Sequence, residues 1–462
     1  LAAFAVYMGM RVHACGLMQD TSHIHPIVHP LVAAPLPKRI LTPFDLFAKY
    51  FKLTAWPLVL SADYSAPSLM PLSNPFAPMP LLGICLALGL TFLGIKTWRR
   101  RPAVALALGL FVCSYGLVAN VLRIGTIFGE RLFYWPSVFV LITFAYALFE
   151  GYQALARRGL LRTARVGLVA LGVSATSLMT WRTTVRNTDW ESNIALSIAT
   201  ARDNLQSAKA CYWAGTTLVT QGPQPWMQEF GAKMLERGID LYPEYAECYW
   251  ELAKFHGRKG EFINSVELLA KAAMYHPGCN YIRGGVEAVR ADMAARKPES
   301  YLPQLQAYVK EHPDEASGIF ALALGYDSSG QLELAEKTCQ HAFDQDHTFH
   351  EAAYEMARVR HARGEYAAAV DMLRQYVMNV PFSPDVRCLM ASYLLDLDET
   401  RFPHALAEAQ MNLDRAAAIN PLPAIRELRM KVARRLAGES TDHNAASPHP
   451  SADLVAAGGN AS

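Results

Sequence analysis

The fold follows from two stretches, ASGIFALALGYDSSGQLELAEKTCQHAFDQDH (316–347) and HEAAYEMARVRHARGEYAAAVDMLRQYVMNVP (350–381). Laid one on the other, they start 34 residues apart (350−316) and carry the same residue types at the same places. Position seven is Leu322 or Met356, position eight Ala323 or Ala357, position fifteen Gly330 or Gly364, and position twenty Ala335 or Ala369. A third copy, 246–277, supplies Leu252, Ala253, Gly260 and Ser265 at those positions. Apolar residues at helical spacing on either side of a glycine, with a proline closing two of the three copies (Pro277 and Pro381), describe two antiparallel helices. The small residues let their axes approach.

A helix pair repeating every 34 residues is the tetratricopeptide period. Weaker units flank the clear ones: one from Ala208 to Pro243 with an insertion holding Pro223 and Pro225, a short one at 281–313, and one from Pro384 to Pro421. A closing helix carries Arg426, Arg429, Lys431, Arg434 and Arg435 to about Ala437. Residues 439–462, rich in Ser, Ala, His, Pro and Gly, have little to bury and read as a disordered tail.

The other half of the chain is made of different material. Residues 1–181 hold 15 Lys and Arg against 5 Asp and Glu, so the remainder holds 43−15=28 against 41−5=36. The overall charge of +2 is therefore +10 added to −8. Four stretches, 79–98, 103–122, 132–149 and 161–181, approach the 20 or so apolar residues that a bilayer of about 30 Å demands. The run 1–18 reads as the tail of another span. Leu1 opens inside that run with no basic residue ahead of it, which reads as a piece of a longer protein.

The expected architecture is all-α: a multi-span membrane domain over 1–181, a tetratricopeptide solenoid over 182–438, and the tail. Basic turns stay on the cytoplasmic side. Lys96, Arg99, Arg100 and Arg101 form one such turn, and Arg157, Arg158, Arg162 and Arg165 the next. Alternation then places everything after Trp181 outside the cytoplasm, as expected of an inner-membrane protein. The segment 40–60 is mostly apolar yet carries Asp45, Lys49 and Lys52, which leaves a span, an interfacial amphipathic helix and a re-entrant piece all open.

In stacked helix pairs the first helices line a concave groove. Its expected lining is Trp250, Lys254, Phe320, Tyr354 and Arg358, with His361 nearby, a mixture suited to an extended acceptor or partner protein. Ordinary packing between repeats is the alternative for the same residues.

Three further blocks carry a resemblance. HPLVAAPLPKRILTPFDLFAKYFKLTAWPLVLSADYS (29–65), IGTIFGERLFYWPS (124–137) and WRTTVRNTDWESNIAL (181–196) resemble the luminal block, the Glu-Arg, Tyr, Pro-Ser signature and the repeat junction of the transmembrane and tetratricopeptide repeat-containing protein O-mannosyltransferases and their bacterial relatives. The first block has HPLVA where the family has an Asn-Pro start. The resemblance implies the C-terminal part of a GT-C membrane enzyme that moves a mannose-like sugar from a polyprenyl phosphate carrier to Ser or Thr of a protein. The family's catalytic acidic residue lies in an earlier loop, so no catalytic residue is expected in these 462 residues.

What the chain can still contribute to such chemistry is a fixed charge for the leaving phosphate. Arg131 beside Glu130, with Arg123 across the same turn, are the carrier-phosphate candidates, and Asp63 and Tyr64 are candidates for sugar or carrier contact. A structural ion pair between Glu130 and Arg131, and a turn role for Ser61 and Asp63, are the alternatives. A non-catalytic membrane-anchored scaffold is the rival reading of the whole chain; a polysaccharide polymerase or ligase shares the carrier chemistry.

Other signals are weak. His23, His25 and His29 are interrupted by Pro26 and joined by no cysteine, which makes a poor metal site. Cys211, Cys248, Cys279, Cys339 and Cys388 fall in separate units and read as small buried side chains. No metal, cofactor or nucleic-acid motif appears.

Overall fold

A computed structural model describes residues 10, 26–32, 34–57, 59–72, 74, 76–120, 126–275, 280–398, 400–419 and 423–437. The expected span at 1–18, apart from Met10, and the tail at 439–462 lie outside the described residues. Within them the elements are helices, and the one β-type contact is an isolated antiparallel bridge between Pro67 and Ser207. The chain divides into two compact units, Leu1–Tyr242 and Pro243–Ser462. The division falls well after the composition break at Trp181.

The first unit begins with α1 (Leu36–Ala55), followed by α2 (Pro78–Thr97), α3 (Pro102–Gly116), α4 (Glu130–Arg157) and α5 (Leu161–Asn187). Prolines stand in the first turns of α1, α2 and α3, where the missing N–H costs no helical hydrogen bond. The ambiguous segment is helical as far as Ala55, with Thr42, Leu46, Phe47, Ala48 and Tyr50 buried and Lys49 paired with Asp45 at 2.8 Å one turn back.

Helices α2, α4 and the stretch Leu161–Trp190 are long and apolar enough to cross a membrane. Only 11%, 11% and 6% of their most apolar windows are buried within the protein. Leu88, Phe92, Ile95, Val166 and Val173 all stand outward. Water would penalise exposed apolar surface of this kind by about 25 cal/mol per Å². Helix α3 is apolar but shorter than its expected 103–122. Beyond it Asn120 takes a left-handed φ of 58°, a conformation its short side chain tolerates. Its amide donates to Ile127 O at 2.7 Å, and its Oδ1 lies 3.1 Å from Nε2 of His29. His29 is thus a buried structural residue, and His23 and His25 lie outside the described residues.

An aromatic cluster binds α1, α3 and α4 together. Tyr50 lies between the rings of Phe128 and Phe133, at centroid distances of 4.2 and 4.7 Å, and Phe47, Phe111 and Tyr115 complete the contact. Three more helices, α6 (Asn193–Asp203), α7 (Ala208–Gln221) and α8 (Pro225–Leu241), belong to the same unit. Ser192 and Ser207 cap α6 and α7 by accepting from the amides of Ala195 and Ala210. Gly215 and Gly231 face one another where α7 crosses α8; a Cβ on either would come within 2.9 Å of the other's carbonyl.

The second unit is the repeat array: α9 (Ala246–Lys259), α10 (Phe262–Tyr275), α11 (Asn280–Ala294), α12 (Leu302–Glu311), α13 (Ala316–Ser328), α14 (Leu332–Gln345), α15 (His350–Ala362), α16 (Tyr366–Asn379), α17 (Pro384–Leu395), α18 (Ala405–Ile419) and α19 (Pro423–Leu436). Helix pairs of the tetratricopeptide type form from α9 and α10, α13 and α14, α15 and α16, and α17 and α18, while α12 packs mainly on α13. Gly260, Gly330 and Gly364 end α9, α13 and α15 with φ of 89°, 77° and 82°, the left-handed turn that glycine adopts without strain. Ala253, Ala323 and Ala357 are buried opposite Ser265, Ala335 and Ala369, as the alignment expects. The contact between Ser265 Oγ and Ala253 O, 2.7 Å, shows how close the paired backbones run.

Candidate functional site

Two polar centres stand out, one in each unit. The first lies where the loop 57–75 meets the start of α4 and the end of α5. Glu130 opens α4, a place where the helix dipole favours a carboxylate. Its Oε1 accepts from Tyr64 Oη at 2.7 Å and from the Ser61 amide at 2.9 Å. Burial, then the neighbouring Glu130 carboxylate, push the Tyr64 phenol well above its ordinary value, so it stays a proton donor.

The cations whose fields reach Glu130 are Arg186 and Arg182, both from α5. Arg186 is held between Asp189 at 2.9 Å and Asp203 at 2.7 Å, and Arg182 donates to Pro57 O at 3.3 Å. The expected partnership of Glu130 with Arg131 is not formed. One residue apart on a helix, the two side chains diverge by about 100°, and Arg131 points outward, exposed, while Glu130 turns into the loop. Arg123 lies outside the described residues.

Asp63 takes the turn role. Its Oδ2 accepts from the Ser65 amide at 2.9 Å and from Ser207 Oγ at 2.6 Å, and its Oδ1 from Ser65 Oγ at 2.8 Å. Its backbone carbonyl accepts from Asn204 Nδ2 at 2.9 Å. Three donors already occupy the carboxylate, so Asp63 is the staple that ties this loop to α6 and α7.

The second centre is the inner face of the repeat unit. Of the expected groove residues, Phe320 and Tyr354 are buried, at 0% and 8% exposure, and pack against Phe349 and Tyr376, which is the arrangement of the alternative reading, packing between repeats. The first helices sit so closely that a position-five ring fills the gap between repeats. Trp250 and Lys254 form a unit of their own, with Nζ 3.7 Å from the ring centroid and 2.9 Å from Glu251 Oε1. His361 stacks on Tyr393 at 3.7 Å and lies 2.9 Å from Asp396 Oδ2. Arg358 joins Asp327 and, through Nε at 2.8 Å, Glu355.

Arg358 opens onto a row of charged residues that the alignment does not show. Arg290 of α11 pairs with Glu287 and lies 3.8 Å from Asp327. Arg283, 2% exposed, forks onto Asp385 of α17, with Nη2 to Oδ1 at 2.5 Å, and donates to Tyr376 Oη at 2.8 Å. Burial alone would depress its guanidinium, and the Asp385 carboxylate beside it outweighs that and raises it. Glu351 goes the other way: burial raises its carboxyl despite the opposing field of Arg283. The sequence signal for this row was the spacing of Arg283, Glu287 and Arg290, four and then three apart, which sets all three on one face of a helix.

Cys211, Cys248, Cys339 and Cys388 are buried, and Cys279 lies outside the described residues. The sequence matches no protein-family model, and no curated protein matches it. Among solved structures, the tetratricopeptide protein YrrB, described as having an unusual peptide-binding site, is 12% identical over 51% of this chain and 97% of its own, with a TM-score of 0.24. A tetratricopeptide protein of Thermus thermophilus is 18% identical over 41% of this chain and 99% of its own, with a TM-score of 0.26. The Cut9–Hcn1 hetero-tetramer of APC/C is 13% identical over 71% and 68%, with a TM-score of 0.30. At these scores the likenesses carry no argument, and the assignment of the second unit rests on its own helix pairs and left-handed glycines.

Proposed function

We propose that this chain is a membrane-anchored tetratricopeptide protein that captures a polypeptide partner on the inner face of its repeat unit. The observation that carries the reading is the connected charged row, to which the first helices α11, α13, α15 and α17 each contribute. Buried polar side chains pointing to one face give an array something to recognise with. A photo-crosslinking residue at His361, on the inner face, should trap a partner in native membranes, and the same residue at Lys337, 70% exposed on α14, should not. Equal trapping at both sites would sink the reading.

A second reading is favoured by the first centre. Tyr64, Glu130 and the pair Arg182 and Arg186 come one from each of the three blocks that resemble the O-mannosyltransferases, and they converge on one point. On this reading the chain is part of a GT-C enzyme of the inner membrane that uses a polyprenyl phosphate sugar. Arg182 and Arg186 rather than Arg131 would face the carrier phosphate, and the repeat unit would hold the acceptor outside the cytoplasm. Transfer from a polyprenyl-phosphate sugar by the full-length protein should fall at least about 100-fold in Glu130→Gln, as expected when a positioning charge is lost. Use of glycan in place of peptide acceptors would point to the polymerase instead.

A further inference from the structure

The charged row on the inner face is unbalanced. It holds five carboxylates, Glu287, Asp327, Glu351, Glu355 and Asp385, against three guanidiniums, Arg283, Arg290 and Arg358. Every guanidinium is engaged, but the carboxylates are not saturated. Oε1 of Glu287, of Glu351 and of Glu355 each accepts no hydrogen bond, and the last two residues are 2% and 1% exposed. A buried carboxylate oxygen without a donor is costly, and the complement it lacks is a charged N–H.

The row also shows which charged group suits it. Arg283 reaches from α11 across to α17, 102 residues further on, and lays its guanidinium in the fork of Asp385 beside Tyr376 and within the field of Glu351. Planar guanidinium on carboxylate, flanked by a tyrosine, is a bidentate recognition geometry. The protein's own arginine occupies it.

We propose that the inner face of the repeat unit receives an arginine or lysine side chain of a partner polypeptide, with Glu351 and Glu355 as its acceptors and Arg283, which holds the neighbouring Asp385, as an internal competitor. The inference rests on the repeat unit being the polypeptide-capturing surface, and it specifies the chemistry captured: a cationic segment. An incoming cation supplies a donor to the Oε1 atoms of Glu351 and Glu355, and it enters a row in which carboxylates outnumber guanidiniums by 5−3=2.

The test uses the whole chain in nanodiscs of neutral lipid, titrated by fluorescence anisotropy with labelled hexa-arginine, hexa-glutamate and a glycine-serine peptide of the same length. Hexa-arginine is expected to bind saturably and the other two are not. The isosteric pair Glu351→Gln and Glu355→Gln should weaken hexa-arginine by about tenfold or more, the loss of one or two charged hydrogen bonds. Arg283→Gln, by freeing the Asp385 fork, should tighten it. Unchanged affinity in folded Glu351→Gln and Glu355→Gln, or no tightening in folded Arg283→Gln, overturns the proposal. Where circular dichroism shows a variant unfolded, hydrogen exchange of the unaltered protein decides: protection of α15 on adding hexa-arginine supports the site, and unchanged exchange overturns it. Binding of hexa-glutamate or the neutral peptide alone overturns this inference and leaves polypeptide capture standing; binding of no probe overturns both.

Discussion

Arg283 and Asp385 meet across the inner face of the repeat unit although 102 residues separate them in sequence. In a solenoid each repeat ordinarily touches only its neighbours, and this pair joins the helix α11 to α17 past two intervening helix pairs. Replacing Arg283 by alanine leaves Asp385 without its counter-ion and should cost about 3–5 kcal/mol. The double change Arg283→Met with Asp385→Leu, which removes both charges, should recover most of that loss. Urea denaturation of the four species measures the coupling; additive losses would show that the two side chains do not act as a pair.

Glu351 sets a pH dependence. Its carboxyl is raised by burial, opposed by Arg283 from α11 and by the Tyr376 hydroxyl from α16, and reinforced by Asp385 from α17. A carboxyl raised in the folded state binds its proton more tightly there than in the unfolded chain. Stability from this group is therefore greatest at acid pH and declines as pH rises from about 4, the ordinary carboxylate value, through the folded value. In Glu351→Gln that decline should disappear, so the variant gains on the parent protein as pH increases. Parallel stability curves for the two proteins between about pH 4 and 8 would refute this.

Tyr64 holds the Glu130 carboxylate. Tyr64→Phe keeps the ring against Phe128 and removes one of the two donors to Oε1, leaving the Ser61 amide. The expected cost is about 1–3 kcal/mol, the price of a buried acceptor short of a donor. Thermal unfolding in detergent should register it, whereas Arg131→Gln, at an exposed position without an ion pair among the described residues, should leave the midpoint in place.

Glycines divide sharply by location. A Cβ on Gly83 would lie 1.9 Å from the Phe44 carbonyl oxygen, so Gly83→Ala forces α1 and α2 apart. It should destabilise by several-fold more than Gly89→Ala, six residues on along α2 (89−83), where a Cβ meets nothing within 4 Å. Gly364→Ala lies between: the space is open, but the φ of 82° costs an alanine about 1–2 kcal/mol.

The repeat register was legible in the sequence because it is local. A left-handed glycine, a small residue on each helix and apolar spacing are all decided within 34 residues, and Gly260, Gly330 and Gly364 stand where the alignment expects them. The apolar stretches were legible for the same reason. What escaped reading depends on distant parts of the chain. Nothing near Tyr64 announces Glu130, 66 residues on, and adjacency in sequence favoured Arg131 over Arg186. Phe320 and Tyr354 looked like groove residues because their positions fit one; how closely neighbouring first helices approach decides whether such rings are lined up or buried, and that is a tertiary quantity.

The staple at Asp63 has a consequence for the stretch of chain between its two ends. Asp63 is bonded to Asn204 and Ser207, and Ala66 accepts from the Ala208 amide at 3.1 Å. The polypeptide between them, containing α2, α3, α4 and α5, is thus a loop drawn shut at its neck. A loop that leaves and returns through one neck must cross a bilayer an even number of times. Helix α2, helix α4 and the stretch Leu161–Trp190 are long and apolar enough for three such crossings, so a bilayer-spanning arrangement would need a fourth from α3. Its 15 residues rise only about 22 Å, so such a crossing would need thinner lipid or further residues beyond Gly116.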